Sequence, residues 1–254
     1  MKITIRRGDE MELNLGVQSY CFRNFKDNKK VAEMVKELCF DKIELCGVHC
    51  DFTDTSKFNE VISIYRDNGV EIVSIGVQGF KNDEATERKY FEFLKMCGGK
   101  YMSVDFDINT IPDCFKLADK LAEEYDIKLG IHNHGVSHWL GNVQGLSYVF
   151  NNTSERIGLC LDTAWALDSK ADPIEWVDKF KERLYILHFK DFKFDSLCKP
   201  EDVVLGEGTL NLEKILEKLK DINFSGLSII EYEGNPENPS PDIKKGIENL
   251  KNLL

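Results

Sequence analysis

Eight β-rich runs alternate with amphipathic helical segments along this chain without a break, and few folds accept that alternation. The runs are Leu13–Phe22, Lys42–Gly47, Glu71–Gln78, Tyr101–Asp107, Lys128–Gly135, Ile157–Thr163, Leu184–Asp191 and Gly226–Gly234. Between them apolar residues recur at three- and four-residue spacing, as in Val31, Val35 and Leu38, or Leu212, Ile215, Leu216 and Leu219. That is the period of a helix with one buried face. Strands this apolar are buried on both faces, which calls for parallel pairing with helices packed outside. Eight such units in 254 residues fit the size of an α/β barrel, for which about 250 residues is typical. The expected fold is therefore α/β, a single (β/α)8 TIM barrel occupying residues 1–254 as one domain. Residues 1–12 are charged and read as an N-terminal arm or short strand, and the last helix should begin near Pro241, after the turn NPENPSP.

A net charge of −11 opposes the basic footprint of a nucleic-acid binder, so no nucleic-acid partner is expected. The N-terminal MKITIRRGDEMELN lacks an apolar signal core, and no run approaches the roughly 18 apolar residues of a membrane span. A soluble, cytoplasmic protein without a membrane partner is the expectation, with room left for a homo-oligomer. The eight cysteines are scattered and contain no Cys-x-x-Cys pair, which reads as reduced thiols in a reducing compartment. Cys46 and Cys50 flank His49 closely, but no second half of a zinc motif accompanies them.

Four metal-ligand candidates stand near the C-terminal ends of the last four strand-like runs: His132 in KLGIHNHG, Asp162 in IGLCLDT, His188 in LYILHFKD and Glu231 in GLSIIEYE. Burying such groups without partners costs several kcal/mol each, and a shared cation removes that cost. In an eight-stranded barrel the C-terminal strand ends converge on one mouth, so residues far apart in sequence can meet at one ion. Strand alternation then pairs His132 with His134, His188 with Lys190, and Glu231 with Glu233 on common faces. The same rule offers Gln18 and Tyr20 on the first run, Glu44 on the second, and Asp105 and Asp107 on the fourth. Asp105 and Glu44 can equally be capping or barrel-floor hydrogen-bonders.

The segments LGIHNHG, IGLCLDTAWALDSKADPIEWV, RLYILHFKDF, GEGTLNLEKIL and INFSGLSIIEYE together resemble the last four strands of the xylose isomerase-like β/α barrels. That family includes sugar epimerases, inosose dehydratases and 3-dehydroshikimate dehydratases. The resemblance spans nearly the whole chain and is strongest from residue 128. It implies one divalent metal ion held by His132, Asp162, His188 and Glu231. Relatives more often carry glutamate in an E-N-H motif where this chain has His132-Asn133-His134. Imidazole in place of carboxylate suits Mn2+ foremost, or Co2+, Zn2+ or Fe2+, better than Mg2+. Trp165 stands where relatives often have a further histidine ligand, which argues for one ion over a three-zinc cluster.

The resemblance further implies a small sugar or keto-polyol substrate, with a side chain removing the proton beside a metal-polarised carbonyl. Glu231 resembles one of the two opposed glutamates of the epimerases, while the other falls on His132. His134 becomes the candidate second acid/base, and Lys190 a candidate to hold a substrate oxygen, with a salt bridge to a ligand carboxylate as its alternative. Trp165, Glu233, Gln18 and His49 are expected substrate contacts. Gly206-Glu207-Gly208 falls where barrels often bind phosphate, without demanding a phosphorylated substrate. The leading expectation is a metal-dependent sugar isomerase or epimerase. The alternative is a lyase or dehydratase acting on a keto-inositol, keto-sugar or 3-oxo-glycoside. An apurinic-site endonuclease-like or non-catalytic relative ranks below both.

Overall fold

The computed structural model describes residues 2–5 and 11–253. Its elements in chain order are β1 (Lys2–Ile5), β2 (Met11–Gln18), α1 (Asn28–Glu37), β3 (Lys42–Leu45), α2 (Phe58–Asp67), β4 (Glu71–Phe80), α3 (Glu84–Cys97), β5 (Tyr101–Phe106), α4 (Asp113–Tyr125) and β6 (Lys128–His132). There follow α5 (Val143–Asn151), β7 (Ile157–Asp162), α6 (Thr163–Asp168), α7 (Pro173–Phe180), β8 (Leu184–Phe189), β9 (Asp191–Phe194), β10 (Pro200–Val203), α8 (Leu212–Asp221), β11 (Leu227–Ile230) and α9 (Ser240–Asn252). Strands β2 to β8 and β11 pair in parallel, and the β2–β3 pairing closes the ring. This is the expected (β/α)8 TIM barrel.

The physical causes are local first. Asp27 caps α1 by accepting from the Lys29 amide, and Val31, Ala32, Met34 and Val35 turn the buried face toward the barrel. In α8 the stripe Leu212, Ile215, Leu216 and Leu219 is buried as its spacing dictates. Every residue of β7 and β8 is buried, as parallel strands covered by helices require. Register then aligns the chemistry: Asp162 pairs with His188, Ile229 with His188, and Gln18 with Glu44.

Several boundaries differ from expectation. The first run stops at Gln18, and Ser19–Phe22 becomes a 3-10 turn whose start is fixed by the Gln18 side chain accepting from the Tyr20 amide. The fifth and eighth barrel strands end at His132 and Ile230, short of the expected Gly135 and Gly234. Leu184–Asp191 divides, because Asp191–Phe194 leaves the barrel to pair antiparallel with Pro200–Val203. Within the expected N-terminal arm, Lys2–Ile5 is a strand antiparallel to β2; residues 1 and 6–10 lie outside the described residues. Among the described residues no helix is long and apolar enough to cross a membrane. All eight cysteines are free thiols.

Candidate metal centre and its cavity

His132 ends β6, Asp162 ends β7, His188 lies one residue from the end of β8, and Glu231 follows β11. All four are buried, and each offers a ligand atom within 4.8 Å of the others. His132 Nε2 stands 3.6 Å from Asp162 Oδ2, and His188 Nδ1 stands 2.7 Å from Glu231 Oε2. Yet His132 Nδ1, Asp162 Oδ2 and both ring nitrogens of His188 are enclosed without a hydrogen bond of acceptable alignment. Buried polar atoms are rarely left so. Donor atoms that crowd one another without bonding are arranged for a common cation, and two carboxylates with two imidazoles balance a divalent charge.

A second layer fixes these donors. Glu44, fully buried near the C-terminal end of β3, places Oε1 3.1 Å from His188 Nε2 and so leaves Nδ1 to face the centre. Gln18 Nε2 donates to Glu44 Oε1 at 2.7 Å, Ser103 Oγ to the same oxygen at 3.0 Å, and Ser74 Oγ to Oε2 at 2.6 Å. A carboxylate supporting a ligating histidine is the usual second shell of such sites. Gly76 lines the cavity beside this group, and a Cβ there would stand 1.6 Å from Ser103 Oγ. Asn133 pins the end of β7: its Oδ1 accepts from the Asp162 amide at 2.7 Å, and its Nδ2 donates to the Asp162 carbonyl at 3.0 Å. The Asp162 side chain in turn accepts from the Trp165 amide at 2.8 Å, capping α6.

Charge follows from these contacts. Burial pushes the His188 imidazolium toward neutrality, but Cys160, Glu44 and Glu231 outweigh it and hold its pKa well above the usual value. Burial would raise Glu231, but the Lys190 ammonium and His188 hold its carboxyl well below the usual range. Burial, then the neighbouring His132, pushes His134 down to about 4, so at neutral pH this ring is uncharged.

A cavity of about 430 Å3 opens over the centre, lined among others by Gln18, Tyr20, Cys46, Val77, His132, His134, Trp165, Glu231 and Glu233. Its size suits one small ligand. The structure thus brings together the expected His132, His134, Asp162, His188, Glu231, Glu233, Trp165 and Gln18. Two expected residues take other places. His49 is not at the cavity: its Nε2 meets the Phe25 carbonyl at 2.9 Å and its Nδ1 faces Cys46 Sγ at 3.8 Å, because the tight turn after β3 folds the ring inward. Lys190 lies behind the cavity wall, 1 % exposed, with its ammonium bound to Glu231 Oε1 at 3.0 Å, to Glu233, and at 3.5 Å to Asp202. Burial works against its charge, but Glu231 foremost, then Asp162, Glu233 and Asp202, outweigh it and hold its pKa well above the usual value.

Asp107 caps a short 3-10 turn through the Asn109 amide. Trp176 packs in the core of α7, and the Trp139 indole donates to the Phe106 carbonyl. At Gly206-Glu207-Gly208 the amides of Gly206, Gly208 and Leu210 all donate to the Asp191 carboxylate, at 3.1, 2.9 and 2.9 Å. The donors that a phosphate would need there already hold an internal anion. Sequence reading missed Asp202, which the β9–β10 hairpin carries to Lys190, and His138, which the spacing His134-x-x-x-His138 could have flagged.

With this geometry in view, the comparisons are consistent. Residues 32–253 match the xylose isomerase-like TIM barrel family, and the chain belongs to it. An inosose dehydratase of Clostridium beijerinckii is 22% identical over 243 residues, covering 90% of this chain and 72% of the relative. The 3-keto-D-glucoside 4-epimerase of E. coli superposes with a TM-score of 0.73 at 16% identity, over 94% of this chain and 99% of that one. The D-psicose 3-epimerase of Clostridium cellulolyticum H10 gives 0.74 at 15% identity, over 95% and 99%. Such structural likenesses establish the fold, while the relatives' names divide between epimerases and dehydratases.

Proposed function

We propose that the protein is a divalent-metal-dependent isomerase or epimerase of a small sugar or keto-polyol, acting by proton transfer beside a carbonyl. The observation that carries this reading is the divided Glu231 carboxylate. One oxygen faces His188 at the centre, the other is held by Lys190, and the residue lines a cavity of one-sugar size. His132, Asp162, His188 and Glu231 would hold the cation, in our reading Mn2+ with Co2+, Zn2+ or Fe2+ also suited to the donors, and when bound it would polarise a substrate carbonyl and acidify the adjacent C–H.

Glu231 is kept deprotonated by the Lys190 ammonium beside it and takes that proton. Lys190, fastened in turn by Asp202 and Glu233, keeps the carboxylate from rotating out of line. His134 is neutral and has one N–H to donate and one lone pair to accept, so it can move a proton between neighbouring substrate oxygens or return one to carbon. Trp165 offers a ring face for a sugar's C–H surface.

One observation favours a second reading, a dehydratase or other lyase on a keto-inositol, keto-sugar or 3-oxo-glycoside. His132 replaces a carboxylate, which removes one of two opposed glutamates, and elimination needs only one strong base and an acid for the leaving oxygen. The curated relative named inosose dehydratase fits that reading. Mn2+-loaded protein incubated with ketoses and inososes in D2O separates the two. Deuterium entering at carbon with the skeleton intact supports isomerisation or epimerisation, and loss of water supports the dehydratase. Turnover that leaves the label of a substrate deuterated beside its carbonyl fully retained points to hydride transfer and rejects proton abstraction.

A further inference from the structure

Four of the five histidines stand around the barrel mouth, and two of them do not belong to the buried centre. Asp105 near the end of β5, His134 just beyond β6 and His138 in the following turn each bring a ligand atom within 4.8 Å of the other two. His138 Nε2 lies 3.4 Å from Asp105 Oδ2, and the His134 and His138 rings are 4.6 Å apart between centroids. Asp105 Oδ1 is enclosed and lacks a hydrogen-bond partner. We infer that Asp105, His134 and His138 form a second, solvent-open site for a borderline divalent cation of the Zn2+ or Co2+ type.

Bonds of about 2.0–2.2 Å to a tetrahedral ion set its ligand atoms about 3.3–3.6 Å apart. The Asp105–His138 pair already has that spacing, and His134 brings a ring nitrogen within 4.8 Å of both. A simple ion pair accounts for less: at 3.4 Å it is long, it does not recruit His134, and it leaves Asp105 Oδ1 without a partner. Coordination through His138 Nε2 places the ring proton on Nδ1, so the Leu140 amide, now 3.2 Å from Nδ1, must release it. That neutral hydrogen bond is weaker than the metal bond replacing it. Asp105 and His138 line a cavity of about 440 Å3, and His134 lines the cavity over the buried centre, so the three residues stand between two open spaces. One carboxylate and two imidazoles compensate the ion less fully than the two carboxylates of the buried centre, so this site fills second. The His132 and His134 rings are 4.9 Å apart, so the two ions would be neighbours. An ion here also occupies a nitrogen of the ring to which we assign proton transfer, so excess metal should inhibit.

Co2+ titration of metal-free protein tests the site through stoichiometry and visible spectrum. Wild type should bind two ions per chain. His138→Ala and Asp105→Asn should each keep the tight ion and weaken the second at least tenfold, with the fold checked by circular dichroism. His188→Ala should lose the tight ion and keep the weaker one, which separates failure of this inference from failure of the buried centre. Saturation of wild type at one ion, or two unperturbed ions in His138→Ala, overturns the site. A sulfur-to-cobalt charge-transfer band for the second ion would put it on a cysteine and overturn it equally.

Discussion

Glu44 Oε1 stands 3.1 Å from His188 Nε2 inside the barrel, each residue one position from the C-terminal end of its strand, and this contact decides which nitrogen of His188 faces the centre. A ligand held in one orientation loses less freedom on binding its ion, and losing such support typically costs about 10–100-fold in metal affinity. Glu44→Gln should therefore retain one tight ion per chain but bind it about 10–100-fold more weakly in a chelator competition. His188→Ala should abolish tight binding, read by elemental analysis. Full stoichiometry in His188→Ala would reject the centre as drawn.

Glu231→Gln separates ligand from base. The amide can coordinate weakly but cannot accept a proton, so some metal should remain while most turnover disappears. Hydrogen–deuterium exchange at the substrate carbon should vanish with it. Exchange at the wild-type rate in this variant would move the base elsewhere.

His132 at the end of β6 and His134 just beyond it are assigned different roles here, and their variants should differ accordingly. His134→Ala should lower kcat by about a hundredfold or more, with the tight ion retained. His132→Glu should keep the ion and shift preference toward harder cations such as Mg2+. If His134→Ala strips the tight ion while His132→Ala does not, the two assignments are reversed.

Asp202 provides a pH test away from the ligands. Burial pushes its carboxyl up from 3.8 to about 7 although Lys190 lies 3.5 Å away. The folded chain therefore keeps a proton that the unfolded chain releases. This stabilisation is complete below about pH 4 and is lost as pH rises through about 7. Asp202→Asn preserves the acceptor for the Glu233 amide, which Asp202 Oδ1 meets at 3.2 Å, and removes the titration. Its Tm should improve relative to wild type between about pH 5 and pH 8, by about 2–4 °C for each kcal/mol. A constant Tm difference across that range would mean that Asp202 is ionised throughout.

Much was legible in the sequence because it is carried by local pattern. The periods of Val31, Val35 and Leu38 or of Leu212 to Leu219 depend only on neighbours along one helix, and the wholly apolar runs ending in Asp162 and His188 announce parallel strands buried on both faces. Four candidate ligands at four strand ends follow from the same reading, since parallel barrel strands all present their C-terminal ends to one mouth. Partners across the barrel are another matter. Glu44 meets His188 only because closure brings residues 144 positions apart together inside the barrel, as 188 − 44 gives. Asp202 reaches Lys190 only because β9 leaves the barrel for a hairpin, which adds a carboxylate to those of Glu231 and Glu233 around the ammonium. His49 shows the same limit in a single turn, where the Phe25 carbonyl 2.9 Å away captures a ring expected to meet substrate. Sequence determined which side chains arrive at the mouth, because periodicity is a property of one strand. Tertiary structure decided which of them remain free for chemistry, because pairing depends on register and closure between strands.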